Sequence, residues 1–125
     1  MVDIYYNEEE DVVYWKISGD IYREDLINSI DKIVELYKDR KEIKILHIVD
    51  NVTANFSPIA NVKNFLYAKD FFSLYSSIRV AFVTKTPKNM AFFILGINAV
   101  IGEKLKSKNF SSVDSAKEWL ISNEL

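Results

Sequence analysis

The chain has 125 residues, of which 49% are hydrophobic and 14% aromatic, a composition typical of a folded globular protein and not of a disordered one. This length fits one domain spanning residues 1–125, with enough chain to bury a core. The 16 basic and 18 acidic residues nearly cancel to a net charge of -2, which gives no positive field for a phosphate backbone and argues against a nucleic-acid partner.

Cysteine is absent, which excludes disulfides, thiol catalysis and cysteine metal sites. The N-terminal sequence MVDIYYNEEE lacks the basic segment and apolar run of a secretory signal. The most apolar stretch, MAFFILGINAVIG, is shorter than the roughly 20 residues that a membrane-spanning helix needs. We therefore predict no transmembrane segment and a cytoplasmic location.

The first elements in chain order are two strands, a helix and a third strand. IYY and VVYWKIS flank an acidic turn at residues 7–11, which predicts a hairpin. Apolar residues recur at helical spacing over residues 22–38, which predicts an amphipathic helix. These residues are Leu26, Ile30, Ile33, Val34 and Tyr37. IKILHIVD is apolar on both faces, as expected of a central, buried strand.

Two further helices are predicted from serine or threonine followed by proline. Ser57-Pro58 opens a helix that runs to about residue 73, because serine is a favoured N-cap and proline is tolerated in the first turn. IRVAFVT then forms another buried strand. Thr86-Pro87 repeats the same opening before a helix over about residues 88–105.

The chain closes with a short strand around NFSS and a helix capped near Ser112 that buries Ala116, Trp119 and Leu120. The predicted order is therefore β-β-α-β-α-β-α-β-α. Strands that alternate with helices favour a mostly parallel sheet with right-handed crossovers. We predict an α/β fold with four helices, in which the hairpin supplies one antiparallel edge strand.

Three segments resemble the SpoIIAA-like fold, which holds the STAS domains of sulfate transporters and anti-sigma-factor antagonists and their bacterial STAS-like relatives. DVVYWKISGDIYREDL is similar to the family's second strand, glycine turn and first-helix entry. IKILHIVDNVTANFS resembles the strand and loop before the second helix, and NFSSVDSAKEWL is similar to the closing F-x-x-x-x-x-A-x-x-W-L of the STAS-like branch. The resemblance implies a non-enzymatic regulatory or protein-interaction module.

The resemblance also implies a modification and a ligand class. In anti-sigma antagonists a serine at the start of the second helix is phosphorylated, and the matching position is Ser57. The residues alone favour Ser57 as the N-cap of that helix. The STAS-like branch has been compared with CRAL-TRIO lipid-transfer domains, which implies an apolar small molecule or lipid as an alternative partner.

Polar residues follow two of the predicted parallel strands, and open α/β sheets bind ligands at such carboxyl ends. Asp50 and Asn51 leave IKILHIV, while Thr84 and Lys85 leave IRVAFV. One interpretation is that Asp50 and Lys85 provide an acid and a base for an enzyme. The alternative is that both side chains are solvated and have no catalytic role. We predict that the protein is not an enzyme, because no nucleophile has an adjacent base.

Neither a metal nor an organic cofactor is predicted. His47, the one histidine, alternates with Ile45 and Val49 on one strand face, and a lone histidine cannot form a metal site. We expect His47 to be structural. The chain has three glycines and no G-x-G-x-x-G or phosphate-binding loop, which excludes the usual dinucleotide and Walker-type sites.

The second and third predicted helices carry more apolar side chains than one sheet-facing side requires. Each large apolar side chain left in water forgoes roughly 1.5–3 kcal/mol relative to burial, and contiguous apolar patches tend to mark interfaces or ligand grooves. We predict a homodimer or another protein partner there, or an apolar ligand, although the two helices could instead cover each other. The predicted surface comprises Tyr67, Phe71, Phe92, Leu95 and Ala99.

Overall fold

A computed structural model describes residues 1–55, 63, 66–67, 69–70, 73, 75–85 and 105–122. Within these residues, five strands form one sheet in the order β1-β2-β3-β4-β5. The strands are β1 (Val2–Asn7), β2 (Val12–Ile21), β3 (Glu42–Ala54), β4 (Ser77–Thr84) and β5 (Leu105–Phe110). The first pair is antiparallel and the other three are parallel, which confirms the predicted mostly parallel sheet with an antiparallel edge strand.

Two helices lie on opposite faces of the sheet. Helix α1 (Arg23–Leu36) packs on β1 and β2 and buries Leu26, Ile30 and Ile33. Helix α2 (Val113–Ile121) packs mainly on β4 and β3 and buries Ala116 and Leu120. We call these the α1 face and the α2 face. Alternating side chains of the central strands fill the two cores, as the side-chain period of a strand requires.

The predicted cap of the last helix is confirmed. The Ser112 hydroxyl accepts a hydrogen bond from the backbone N–H of Ser115 at 3.2 Å. This bond satisfies one of the backbone donors that a helix N-terminus leaves without an intrahelical partner. The sequence signal was therefore sufficient to place the start of α2.

At the other end of α2, a buried arginine holds the helix to the sheet. Arg79 on β4 is 6% exposed, and its Nη1 donates hydrogen bonds to the backbone carbonyls of Ser122 at 2.5 Å and Leu120 at 3.4 Å. Its guanidinium lies 4.8 Å from the centre of the Trp119 ring. A cation at a helix C-terminus pairs with the negative end of the helix dipole, so Arg79 both caps and docks α2.

The prediction for the fifth strand was wrong in its bounds. β5 begins at Leu105, which had been assigned to the preceding helix, and it ends at Phe110, not at residue 112. Leu105 is buried, and in the sequence it follows the preceding apolar residues at helical spacing. The predicted helix was extended to Leu105 for this reason. β5 is an edge strand with exposed Lys106 and Lys108, so it lacks the apolar alternation of a central strand.

The four-helix order is not shown. The described residues give β-β-α-β-β-β-α, and the second and third predicted helices lie mostly outside them. A few described residues within the second predicted helix are helical. These are Lys63, Leu66, Tyr67, Lys69 and Asp70.

Candidate binding surface at the strand ends

β2 and β3 continue beyond their neighbours at the carboxyl end of the sheet. The last β3–β4 pair is Val49 with Thr84, and the β1–β2 ladder reaches only Ile17. Residues 19–21 of β2 and 52–54 of β3 therefore pair with each other as a two-stranded parallel ribbon. We call this extension the ribbon.

A bulge separates the ribbon from the main sheet. Ser18 pairs with Asp50 and Gly19 pairs with Val52, so Asn51 is an extra residue on β3. Asn51 has φ 47° and Gly19 has φ 71°, both in the left-handed region. Glycine enters this region without penalty and asparagine more readily than most residues, so the sequence suits the bulge.

The glycine turn expected at Gly19 is instead this bulge within a continuous strand. The strand resumes and runs to Ile21, which is 1% exposed and packs with Leu26 of α1. At the ribbon end, Asn55 donates its backbone N–H to the Ile21 carbonyl at 2.7 Å and its side-chain amide to Asp20 at 3.2 Å. A glycine within a strand indicates either a turn or a bulge, and here the burial of Ile21 favours the bulge.

Replacing Gly19 with alanine tests the bulge conformation. No atom lies within 4 Å of a Cβ added at this position, so the expected cost arises from φ and not from a clash. We expect Gly19→Ala to lower the free energy of unfolding by about 1 kcal/mol and Gly19→Asn to lower it less. Urea unfolding of the three proteins measures this; equal stability of Gly19→Ala and the wild type would contradict the assigned backbone.

The four strand-end residues named from the sequence lie on adjacent strands in the structure. Asp50 and Lys85 each come one residue after the last β3–β4 pair, and both are exposed, as is Asn51. Thr84 is buried at 6% exposure. Over residues 1–55 and 75–85, no ion pair joins Asp50 to Lys85. Their charged groups are therefore presented to solvent without being held together as an acid–base pair.

His47 lies in the core, away from this surface. Its ring stacks on Trp15 at a centroid distance of 3.9 Å and meets the edge of Phe82 at 5.5 Å. Its Nδ1 lies 3.0 Å from the Trp15 carbonyl oxygen. Burial lowers the pKa of His47 to about 4, against the weaker opposing effect of that bond. The imidazole is therefore neutral at pH 7, and Nδ1 carries the hydrogen that it donates.

The contacts of the His47 ring with the rings of Trp15 and Phe82 were not predicted from the sequence. The rings lie on consecutive strands because Trp15 pairs with His47 and His47 with Phe82. Only the register brings them together, since a one-residue slip of any strand would move its ring to the other face. The alternation around His47 was visible, but its aromatic partners were not.

The predicted apolar surface lies largely outside the described residues: Ser57, Phe71, Phe92, Leu95 and Ala99 are not among them. Tyr67 is described, is partly buried, and packs against the core on the α1 face. Its hydroxyl donates a hydrogen bond to Asp31 of α1 at 2.5 Å, and this bond raises the pKa of Tyr67. Tyr67 therefore joins its segment to α1.

Within the part of the chain that the structure describes, no three His, Asp or Glu side chains are grouped so that they could hold a metal ion. None of the helices in the same residues combines the length and apolar character needed to cross a bilayer.

Comparison with known proteins supports the fold. No protein-family model matches the chain, and no curated protein matches it. The chain is similar to the crystal structure of an uncharacterized protein of the DUF3478 family with a SpoIIAA-like fold from Shewanella loihica PV-4, with a TM-score of 0.59 and 15% sequence identity. The match covers 96% of this chain and 92% of that one. The protein thus has a SpoIIAA-like fold, as its sequence resemblance predicted.

Proposed function

We propose that the protein is a non-enzymatic protein-interaction module that binds its partner through the strand ends. The binding surface comprises Asp20, Asp50, Asn51 and Lys85, and we call it the strand-end surface. The observation that carries the proposal is the bulge, which holds Asn51 at φ 47° inside a paired strand. Such conformations persist where the surrounding structure determines them, and bulges are over-represented beside functional sites.

The charges of this surface favour a polar macromolecular partner. Asp20, Asp50 and Lys85 are all exposed, so each can pair with a complementary charge on a partner. Complementary charges at the rim of an interface contribute mainly to the rate and specificity of association. The position also agrees with the carboxyl-end location of binding sites in open α/β sheets.

The resemblance to anti-sigma antagonists suggests how binding would be controlled. Asn55 follows the ribbon and precedes Ser57 by two positions, so a phosphate on Ser57 would add negative charge close in sequence to the strand-end surface. We include phosphorylation of Ser57 in the proposal as a regulatory step. Its support is the sequence resemblance and this short chain separation.

Three other predictions remain to be tested. The first is the homodimer through Tyr67, Phe71, Phe92, Leu95 and Ala99, and the second is a bound apolar molecule. The third is the cytoplasmic location. Native mass spectrometry of protein isolated from its own cells would report oligomer mass, bound ligand and any phosphate together.

Site-specific photo-cross-linking in the protein's own cells tests the proposed function. We expect a benzophenone amino acid in place of Lys85 to give a discrete protein adduct, because Lys85 lies within the strand-end surface. The matched control replaces Lys38, an exposed lysine just beyond the end of α1. The adduct should disappear when Asp50→Lys is added, since that change reverses a charge of the same surface.

Three results would contradict this function. They are no adduct at position 85, an equally strong adduct at position 38, or an adduct that survives Asp50→Lys. The folded state of each variant would be checked by circular dichroism. The exposure of Asp50, Lys38 and Lys85 makes a change in stability of more than about 0.5 kcal/mol unexpected.

A further inference from the structure

β1 is an edge strand, and its pairing with β2 determines which of its backbone N–H and C=O groups point outward. The N-terminal ammonium of Met1 donates a hydrogen bond to the Ser18 carbonyl at 2.6 Å, and the Ser18 N–H donates one to the Met1 carbonyl at 3.0 Å. Bonded pairs alternate along an antiparallel ladder, so Asp3 and Tyr5 also bond inward to β2. The N–H and C=O groups of the intervening residues therefore point away from β2, to the free edge, where no strand of the described residues pairs. These residues are Val2, Ile4 and Tyr6.

The two edges of the sheet differ in how they are protected against pairing with a strand of another molecule. β5, at one edge, exposes Lys106 and Lys108, and charged side chains, especially lysine, are a common device against edge-to-edge pairing. β1, with the sequence VDIYYN, contains neither lysine nor proline. Tyr5 of β1 is 42% exposed; its ring stacks on Tyr14 at 4.8 Å and lies 5.8 Å from the Lys16 ammonium.

A cleft of about 180 Å³ lies between this edge and α1. Val2 and Ile4 form its apolar part, and one side of α1 forms its polar wall. The wall residues are Asp25, Asn28, Ser29 and Lys32. A strand added to β1 would place its own side chains next to Val2 and Ile4, because directly opposed residues in an antiparallel pair share a face.

We propose that β1 pairs with β1 of a second copy of this chain, antiparallel and centred on Ile4. This register opposes Val2 to the partner's Tyr6 and Ile4 to the partner's Ile4, so all three outward-facing residues exchange both backbone bonds. It also opposes Asp3 to the partner's Tyr5. The two sheets would then form one continuous ten-stranded sheet across a two-fold axis.

The self-complementarity of this edge favours a second copy as the occupant. A register centred on Asp3 would set two carboxylates directly opposite, which is destabilising. A register centred on Tyr5 leaves Val2 without a partner. Because the two α1 helices would be antiparallel across the axis, Asp25 of one would approach Lys32, two turns further along the helix, of the other, pairing opposite charges.

Engineered cysteines test the register, since the chain has no cysteine of its own. The variant Asp3→Cys with Tyr5→Cys should form a disulfide-linked dimer under mild oxidation, because opposed residues lie within the Cα separation of a disulfide. Each single variant should remain without a covalent dimer, because residues offset by two positions are roughly 8 Å apart. Non-reducing electrophoresis and intact mass measure this.

The outcomes separate the alternatives. A dimer from Asp3→Cys alone or Tyr5→Cys alone would overturn the Ile4-centred register. A wild-type protein that is monomeric by light scattering at about 100 μM, with no cross-linking of the double variant, would overturn the interface itself. The interface does not depend on the strand-end surface, so failure of one experiment leaves the other unaffected.

A proline at the axis provides a second test. The Ile4 N–H points to the free edge, so Ile4→Pro removes no bond to β2 but removes one to the partner. The matched control, Ile4→Ala, loses a comparable side chain and keeps the N–H. We expect Ile4→Pro to weaken the dimer at least tenfold more than Ile4→Ala by light scattering against concentration. Equal dimerisation of two folded variants would contradict the proposal.

Discussion

Arg79→Ala should lower the free energy of unfolding by about 2–4 kcal/mol. The substitution removes a side chain that is only 6% exposed, together with its hydrogen bonds to the carbonyls of Leu120 and Ser122. It also removes the contact of the guanidinium with Trp119. The C-terminus of α2 would keep its negative dipole end but lose the Arg79 guanidinium that pairs with it. The last carbonyl groups of α2 would also lose their hydrogen-bond donor.

The sheet itself offers the matched control for this prediction. Lys106 is the cross-strand partner of Arg79 on β5, yet it is exposed. Lys106→Ala should change stability by less than about 0.5 kcal/mol. Urea unfolding followed by circular dichroism compares the two, and amide exchange of residues 113–121 should quicken only in Arg79→Ala. Similar stabilities for the two variants would show that Arg79 does not dock α2.

Acidification from pH 6.5 to pH 4 should remove about 3 kcal/mol of the stability that His47 confers. Burial lowers the pKa of His47 to about 4 in the folded protein, below the roughly 6.5 of an exposed histidine. Between these values the unfolded chain binds more protons than the folded one. The contribution is therefore fully present above pH 6.5 and is lost as the pH falls towards 4.

His47→Gln isolates this effect from the titration of carboxylates. Glutamine does not ionise, so the unfolding free energies of His47→Gln and the wild type should differ by a constant amount at neutral pH. On acidification this difference should shrink, because only the wild type loses the contribution of His47. Urea unfolding at half-unit steps between pH 4 and 7.5 gives the difference directly. Parallel stability curves over this range would mean that His47 titrates at its ordinary pKa and is not held neutral by burial.

Local patterns in the sequence predicted those elements whose side chains bury one face. The spacing of Leu26, Ile30 and Ile33 gave α1, and Ser112 gave the start of α2. The parallel sheet followed from strands that are apolar on both faces. Edge strands bury fewer side chains, so β5 has no clear apolar alternation. The helical spacing of apolar residues therefore extended the predicted helix to Leu105, which is the first residue of β5.

Long-range contacts could not be predicted in the same way. Arg79 contacts residues 41 and 43 positions further along the chain, and nothing near it in sequence indicates a helix end. His47 was expected to be structural, but its stack on Trp15 depends on the β2–β3 register. At the candidate site, Asp50 and Lys85 were placed on adjacent strand ends, whereas the bulge at Asn51 needed backbone angles.

Hydrogen–deuterium exchange on the complex purified through the cross-link at position 85 tests the proposed binding surface most directly. Exchange in the complex would be compared with exchange in the free protein, peptide by peptide. We expect slower exchange at residues 18–20 and 50–53, and unchanged exchange at residues 38–41. Protection confined to β1, or no protection at the strand ends, would contradict the binding of a partner through the strand-end surface.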